Sequence, residues 1–395
     1  MRIIFFAGKG GVGKTSASAA TGIRSAALGK KTLILSLDVA HSLSDIFDLP
    51  KKLLDQNRGE PVKVAENLFI QELDMNAELS REWAQIHDYV TTVLRATGIE
   101  EILAEELAVL PGMEELTLLM KINRYVRENE YDVLILDSAP TGEAVRFISI
   151  PTALEWYMKK FFNIERTVVK MARPLVQKVY NVPLPDDKYF AAIKDLFERL
   201  RGVDQVLTDP EITTVRLVSN PEKIVLKETQ RAFMYFTLYR MHIDAIIMNR
   251  VLPATLEDDY FSGWKKTQQS YVKLAETYFA PTPLLFADLF PGEVLGLERL
   301  RALGDKLYGD RNPLERFIEH KAYELTKKDG RYRLAIRLPF VEKNDVSVAR
   351  TPDELVIRLG NVRRHVLLPM HVANAAAVKA KFEGDTLCVY FAAGK

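Results

Sequence analysis

Short apolar runs and longer amphipathic stretches follow one another along most of the chain. Seven short runs have the composition of strands: Ile3–Ala7, Thr32–Leu37, Leu68–Leu73, Asp132–Asp137, Val215–Ser219, Ile243–Asn249 and Pro283–Phe286. Several of them are apolar on both faces, as buried parallel strands are. Stretches with helical spacing, for example Thr15–Leu28 and Glu114–Asn129, separate the runs. The alternation predicts an α/β fold with a doubly wound, mostly parallel sheet whose ligands bind at the carboxyl ends of the strands.

Two longer segments show helical periodicity alone, and we predict that they form a helical insertion subdomain. They cover roughly residues 76–125 and 151–207. In the second segment, Leu154, Met158, Phe161 and Val168 follow the spacing of one helix face.

The pattern changes again after about Lys327. Tyr332–Leu338, Glu354–Leu359 and Arg364–Leu368 alternate between apolar and polar residues, and Gly384–Phe391 closes the chain. Short strands at this spacing, separated by Pro, Gly and Asn, predict a small all-β sandwich. We therefore expect two domains, residues 1–327 and residues 328–395.

Composition and charge exclude several classes of protein. Hydrophobic residues make up 48% and charged residues 27% of the chain, the balance of a soluble globular protein. The longest run without Asp, Glu, Lys or Arg, residues 365–378, is shorter than the ~18 residues that a membrane span needs. A net charge of +1 gives no field that would attract nucleic acid. The start shows no signal-peptide layout, so we expect a cytoplasmic protein.

The strongest chemical signal is the segment Gly8-Lys-Gly-Gly-Val-Gly-Lys-Thr15, which satisfies the pattern of a phosphate-binding loop. It follows a predicted strand and precedes a predicted helix, as such a loop requires. Its glycines allow backbone N–H groups to surround a phosphate, and the helix adds its positive amino end. The pattern predicts that Lys14 reaches the β- and γ-phosphates and that the Thr15 hydroxyl binds Mg²⁺. The residues predicted to contact the nucleotide here are Gly8, Lys9, Gly10, Gly11, Val12, Gly13, Lys14, Thr15 and Ser16.

A second lysine, Lys9, lies five residues before Lys14. The loop thereby resembles the deviant loop of a class of dimeric ATPases, in which this lysine crosses to the nucleotide of the partner subunit. There it stabilises the charge of the γ-phosphoryl transition state, as an arginine finger does elsewhere. A solvated surface lysine is the alternative.

Further motifs extend the resemblance over roughly residues 1–310. Residues 36–45 resemble the first switch, and residues 137–142 the second switch, of the arsenite-pump and tail-anchored-protein-targeting ATPases, the ArsA-like family. Residues 219–223, 248–250 and 283–285 fall where that family places later strands and adenine contacts. The resemblance implies an ATPase that converts ATP and water to ADP and phosphate, with ATP and Mg²⁺ bound.

Two carboxylates fit this chemistry. Asp38 follows the strand Thr32–Leu37, where it can orient or deprotonate the attacking water. A helix N-cap, or a residue that reaches Mg²⁺ only through water, is the alternative. Asp137 ends the strand Asp132–Asp137, where a Walker-B carboxylate holds Mg²⁺, with water between them. A buried capping Asp is the alternative there.

Other predicted site residues rest on the resemblance. Asn249, together with Pro283 and Leu284, is expected to contact the adenine, and a turn-forming Asn is the alternative for Asn249. His41 and Asp45 are expected to fix the first switch, with a packed histidine as the alternative. The second switch contributes Pro140 and Gly142.

The chain departs from the family pattern in its thiols. Cys388 is the single cysteine, so the C-x-x-C pair that binds zinc across the dimer in tail-anchored-protein members is missing. We expect ATP and Mg²⁺ as cofactors and no zinc. Arsenite pumping in this family uses clustered thiolates, and one cysteine cannot form a cluster within one chain.

The helical segments correspond to the region where targeting members of the family form a groove for an apolar client. Trp156, Met158, Phe161, Phe162 and Met171 have the adaptable apolar side chains that such a groove needs. Packing within the helical subdomain is the alternative for each.

The C-terminal segment also has a likeness. Tyr332–Phe340, Asp353–Leu359, Arg364–Pro369 and Ala380–Leu387 resemble, in their order and spacing, the α-crystallin domain of small heat-shock proteins.

These observations favour a homodimeric Mg²⁺-ATPase that couples ATP binding and hydrolysis to the binding, chaperoning or targeting of a hydrophobic client protein or α-helical segment. A peripheral membrane receptor is a further partner that this interpretation admits, and nucleic acid is not expected. The alternatives are the ATPase subunit of an arsenite or anion pump and a nucleotide-gated scaffold of the partitioning type.

Overall fold

A computed structural model describes most of the chain. The described residues are 1–38, 42–49, 59–96, 100, 112–158, 187–319, 323–328, 331–351, 354–360, 362–368, 372 and 377–391. Within these ranges, no helix combines the length and the apolar character that crossing a bilayer requires.

Eight strands form the central sheet. They are β1 (Arg2–Gly8), β2 (Thr32–Ser36), β3 (Val62–Ala65), β4 (Leu68–Gln71), β5 (Val133–Asp137), β6 (Thr213–Ser219), β7 (Ile243–Val251) and β8 (Leu284–Asp288). Their order is β3-β4-β2-β5-β1-β6-β7-β8, and every neighbouring pair is parallel except β3 with β4. The predicted doubly wound, mostly parallel sheet is confirmed.

Helices cover both faces of this sheet. They are α1 (Lys14–Ala27), α2 (Ser42–Ile46), α3 (Met75–Glu82), α4 (Ala84–Ala96), α5 (Met113–Glu128), α6 (Thr141–Tyr157), α7 (Asp187–Leu200), α8 (Val203–Thr208), α9 (Lys223–Leu238), α10 (Asp259–Phe279) and α11 (Gly296–Tyr308). α1 and α11 pack together on one face, whereas α5, α6 and α9 contribute to the core on the other. Successive side chains of β1, such as Phe5 and Phe6, therefore enter two different cores and are both fully buried.

The edge strand β3 was not predicted. It is four residues long, its side chains are partly or fully exposed, and it pairs antiparallel with β4. A short, half-exposed edge strand carries too weak an apolar signal for a pattern search, which looks for buried runs.

The predicted helical subdomain is described in part. α3, α4 and α5 lie in the first segment, and α7 and α8 in the second. α6 starts before the second segment and continues into it. Residues 101–111 and 159–186 lie outside the described residues.

The C-terminal region is a sandwich of two antiparallel sheets. One has the order β14 (Ala377–Glu383), β15 (Thr386–Phe391), β10 (Arg331–Arg337), β9 (Tyr323–Lys328), and the other the order β11 (Val346–Arg350), β12 (Glu354–Leu359), β13 (Val362–Leu367). Apolar side chains such as Leu334, Ile357 and Phe391 form its core. The predicted all-β sandwich is confirmed, although β9, β11 and β14 were not predicted.

The first strand of the sandwich starts earlier than the pattern suggested. β9 begins at Tyr323 and pairs with β10, so the predicted boundary near residue 328 falls within this hairpin. The sequence of β9 is rich in charged residues, and most of the strand is exposed. Because of that composition, a search for alternating apolar residues does not detect β9.

Candidate functional site

The phosphate-binding loop connects β1 to α1 and depends on two glycines. Gly8 lies so close to the neighbouring strand that a Cβ there would overlap the backbone carbonyl oxygen of Val218. Gly13 has a φ of +94° and faces the side-chain amide of Asn249, which a Cβ would also overlap. Only glycine fits both positions. Gly8 has no space for a side chain, and Gly13 has no space and also needs a left-handed backbone.

Lys14 is the buried cation of the site. Its side chain is 8% exposed, and Nζ donates a hydrogen bond to the backbone carbonyl of Lys9 at 3.3 Å. Burial lowers the pKa of Lys14, and the carboxylates of Asp137 and then Asp38 oppose that shift. The amine is therefore held against the loop, in the field of three acidic residues, of which Glu143 has the smallest effect.

Asp137 ends β5, next to β1 and β2 in the sheet. It is paired in register with Phe6 and with Ser36. Burial raises the pKa of Asp137 to about 6, against the opposing effects of the Thr15 hydroxyl and then of Lys14. Its Oδ1 atom is buried and has no hydrogen-bond partner among the described residues. A buried carboxylate oxygen without a donor is suited to a cation or its water ligand.

Asp38 follows β2 at the same edge of the sheet and is half-buried. The Ser36 hydroxyl donates to the backbone carbonyl of Asp38 at 2.9 Å and accepts from its N–H at 3.2 Å. These bonds fix the backbone turn that presents the Asp38 side chain. The structure thus brings Asp38, Lys14 and Asp137 together at the carboxyl ends of neighbouring strands.

The first switch continues into α2, and Glu72, a residue that the sequence analysis did not identify, holds this helix in place. The Ser42 and Thr15 hydroxyl oxygens lie 3.4 Å apart. The carboxylate of Glu72 accepts from the Ser44 N–H at 2.9 Å and from the Ser44 hydroxyl at 3.2 Å. Glu72 follows β4 at the carboxyl edge of the sheet, and that position was the available signal. Asp45 is exposed.

His41 lies outside the described residues.

The second switch adjoins the loop. A Cβ on Gly10 would have Pro140 as its neighbour, and the Pro140 carbonyl accepts N–H bonds at the start of α6. Gly142 is exposed in the first turn of this helix. Further along α6, Arg146 donates from Nε to Glu115 of α5 at 2.6 Å. The second switch is therefore connected directly to the helical layer.

Asn249 near the end of β7 contacts the loop. Its side-chain amide donates to the backbone carbonyl of Val12 at 2.8 Å, and the residue is 9% exposed. This bond positions the loop, a role that the sequence reasoning did not assign. The predicted adenine contact of Asn249 stays a prediction.

Pro283 and Leu284 lie away from these residues. They stand at the amino end of β8, where the Pro283 carbonyl accepts from the N–H of Ile246 and Leu284 pairs with Ile246 in register. Gly8, Asp137 and Asn249 are at or near the carboxyl ends of their parallel strands, so the structure does not bring Pro283 and Leu284 to that edge.

The outer part of the loop faces solvent. Lys9, Gly10 and Gly11 are exposed, whereas Thr15 and Ser16 are half-buried and Val12 is buried. The two lysines of the loop therefore differ in environment, since one is buried among carboxylates and the other projects outward.

The predicted client residues are described only in part. Met158, directly after α6, is half-buried. Trp156 lies in α6, but its side chain is outside the described residues, as are Phe161, Phe162 and Met171.

Together, a parallel sheet, a glycine loop around a buried lysine and acidic residues after neighbouring strands define a phosphate-loop nucleotide hydrolase. The sequence model of the family described as Anion-transporting ATPase, ArsA_ATPase, matches residues 1–309, and that of the HSP20-like domain found in ArsA matches residues 329–391. The chain belongs to the ArsA ATPase family and carries an HSP20-like domain at its C-terminal end. The predictions of an ATP hydrolase and of a small-heat-shock-like domain are confirmed.

Two relatives cover almost the whole chain, and a third covers four fifths of it. A protein of Aquifex aeolicus named arsenical pump-driving ATPase 1 is 47% identical over 394 residues, 99% of this chain and 100% of its own length. A protein of Prosthecochloris vibrioformis named arsenical pump-driving ATPase is 36% identical over 99% of this chain and 96% of its own length. The ATPase get3 of Aspergillus niger is 27% identical over 80% of this chain and 92% of its own length.

Proposed function

We propose that the chain is a homodimeric, Mg²⁺-dependent ATPase that couples ATP binding and hydrolysis to the binding of a hydrophobic client protein or α-helical segment in the cytoplasm. The observation that carries this proposal is the division of the loop into a buried lysine between two carboxylates and an exposed lysine on the rim.

ATP binding is the task of the loop. The backbone N–H groups between Gly8 and Thr15 surround the β-phosphate, and Lys14 neutralises the β- and γ-phosphates. Asn249 keeps the loop open through its bond to the Val12 carbonyl.

The donors present also fit Mg²⁺. Thr15 and Asp137 would hold it, the latter through water, because Oδ1 of Asp137 is buried and no donor reaches it from the part of the chain that the structure describes. The Ser42 hydroxyl, 3.4 Å from the Thr15 hydroxyl, is placed to support the same site. When bound, Mg²⁺ supplies charge neutralisation for the β- and γ-phosphate oxygens.

Water attack is the task of Asp38. Its half-buried side chain follows β2 near Lys14, where a carboxylate can orient the water in line with the γ-phosphate and accept its proton. The backbone bonds from Ser36 hold this residue in position.

Lys9 completes the site of a second copy of the chain. Within its own chain its backbone carbonyl accepts from Lys14, while the residue itself is exposed on the rim. A cation there can reach a γ-phosphate that a partner presents across a two-fold axis, and it stabilises the charge that develops in the transition state.

Coupling to a client runs through α6. This helix begins at the second switch, contacts α5 through Arg146 and Glu115, and ends beside Met158. A change at the γ-phosphate would therefore shift the helical layer that holds the client, with a peripheral membrane receptor as the acceptor of that client. Similarity to a protein named ATPase get3 supports this interpretation.

An anion pump is the second candidate, favoured by the relatives named arsenical pump-driving ATPase. A motor of this kind needs soft ligands for the metalloid. The chain offers one cysteine, Cys388, which is buried in the sandwich.

Capture of a labelled apolar peptide tests the client proposal. We expect the full-length Asp38→Asn chain with ATP to bind a 20-residue apolar helical peptide at least about tenfold more tightly than with ADP. A peptide of the same length with two central lysines serves as the control, since it cannot lie in an apolar groove. Equal binding of both peptides, or ATPase activity that arsenite stimulates without any peptide, would favour the pump.

A further inference from the structure

A small cavity lies where the ATPase domain meets the sandwich, away from the phosphate-binding loop. α6, α8 and the turn after α9 line one side, and β9 and β13 line the other. Its volume is about 90 Å³, well above the ~10–15 Å³ that a single water requires. The space is sufficient for a small polyatomic ion.

The most unusual group in this cavity is Arg364 of β13. The residue is 7% exposed, and its guanidinium donates from Nη1 to the hydroxyl of Thr152 on α6. Its Nε is buried and has no hydrogen-bond partner among the described residues. The described residues include no carboxylate that pairs with this guanidinium, and a buried guanidinium without such a partner is costly, so its position calls for an anion.

A second arginine faces the same space from the other domain. Arg240, in the turn after α9, lies over the ring of Tyr323 at 4.9 Å, and Arg364 lies over the ring of Tyr239 at 4.8 Å. Burial lowers the pKa of Arg364, two neighbouring tyrosines oppose this shift, and the positive charge of Arg240 adds to it. The two cations repel each other across the cavity.

The acidic groups around the cavity do not neutralise this pair. Asp204 of α8 is the one carboxylate among the described lining residues, and it forms no ion pair with Arg364 within the described part of the chain. Nδ1 of His365, the neighbour of Arg364, lies 3.2 Å from Oε2 of Glu354 in the same sheet. The cavity therefore keeps an excess of positive charge.

We propose that this cavity binds a small tetrahedral oxyanion, inorganic phosphate or the phosphoryl group of a small metabolite, between Arg364 and Arg240. The planar fork of a guanidinium matches two oxygens of such an anion. Because one arginine comes from the sandwich and the other from the ATPase domain, the bound anion joins the two domains. The site is separate from the nucleotide site and does not depend on its proposed role.

Thermal unfolding and calorimetric titration of the full-length chain with inorganic phosphate test the proposal. All chains carry Lys14→Ala, which weakens phosphate binding at the nucleotide loop. We expect phosphate to raise the Tm saturably in this background and in a matched control, Arg363→Met. Arg363 lies next to Arg364 in β13, but its side chain is exposed. Arg364→Met should lose the shift and bind phosphate at least about tenfold more weakly. Arg240→Ala, an exposed change that leaves the core intact, should weaken binding in the same direction.

Two further arms decide the outcome. Sodium chloride at equal ionic strength should give no saturable shift, and glycerol 3-phosphate in place of phosphate distinguishes a phosphoryl group from the free ion. Binding of either one that requires Arg364 supports the proposal. Equal shifts in the Arg364→Met and Arg363→Met chains, or an equal shift with chloride, would overturn it.

Discussion

The two halves of the phosphate-binding loop differ in what surrounds them. The inner half is complete within one chain: Lys14 is buried, Asp137 and Asp38 lie in its field, and Asn249 bonds to the loop. The outer half, with Lys9 and the glycines after it, faces solvent. An ATPase site that ended at its inner half would leave one side of the γ-phosphate open to water.

The difference separates binding from turnover. Buried groups with fixed partners are suited to hold a nucleotide in one geometry, because they are already in place and need not rearrange when it binds. An exposed lysine has no such fixation in its own chain, so its catalytic value depends on a second surface. We therefore propose that one chain binds the nucleotide and that full turnover requires a dimer.

Asp38→Asn should have the largest effect and would separate turnover from binding within the inner half. We expect kcat for ATP to fall by ~10²–10⁴, since the amide cannot accept the proton of water. ATP affinity should change little, because Lys14 and the loop are intact. Pre-steady-state ATP binding and steady-state phosphate release measure the two quantities.

Lys14→Ala is the matched comparison, with ATP affinity expected to fall ~10²-fold because a charged hydrogen bond is lost. The assignment of roles is wrong if both variants lose ATP affinity to the same extent.

Asn249→Ala has a smaller expected effect and tests whether this residue positions the loop. Loss of the bond to the buried Val12 carbonyl should lower the free energy of unfolding of the nucleotide-free chain by about 1–3 kcal/mol. Asn249→Asp keeps the shape of the side chain but removes its N–H donor, and it should lower the free energy of unfolding by a similar amount. Urea unfolding without nucleotide measures both. An unchanged stability with weakened ATP binding would instead indicate that Asn249 contacts the adenine alone.

The pH dependence of the Mg²⁺ requirement has the smallest expected effect. Asp137 has a pKa of about 6, raised from 3.8 by burial, and the ionised form is the one that favours a cation. Mg²⁺-dependent nucleotide affinity should therefore be about tenfold weaker at pH 5 than above pH 7.

The folded chain also holds this proton more tightly than the unfolded chain does. The contribution of Asp137 to stability is thus largest below pH 4 and falls as the pH rises through 6. Asp137→Asn is the control, since the nucleotide titrates equally in both chains. The same pH dependence in both chains would place the titrating group elsewhere.

The inner half of the site was largely predictable from the sequence. Gly8, Lys14 and Asp137 stand at fixed positions after apolar strands, and parallel strands bring their carboxyl ends together. Glu72 lies in a predicted strand, but it was missed because the contact that identifies it joins it to Ser44, 28 residues earlier in the chain. Pro283 and Leu284 lie away from the phosphate-binding loop because of their place in the sheet. Pro283 precedes β8 and Leu284 begins it, so both lie at the amino end of that strand.

The C-terminal sandwich was predictable as a class but not strand by strand. Strands such as β12 and β15 bury most of their side chains, including every second apolar one, and show in the apolar pattern. β9 does not, because most of its side chains are exposed and half of its residues are charged. Arg364 lies in a predicted strand, but only the packing of β13 against α6 shows that its guanidinium is buried.

Mixing two inactive variants tests the dimeric site most directly. A Lys9→Ala chain has its own Asp38, and an Asp38→Asn chain can lend it Lys9, so a mixed dimer contains one intact composite site and one with both lesions. Random exchange makes half of the dimers mixed, so we predict recovery of about a quarter of native ATPase activity. Lys14→Ala mixed with Asp38→Asn should recover nothing, because both of those residues act within their own chain. Activity of the first mixture equal to the sum of its separate components, with mixed dimers shown to form, would contradict the account.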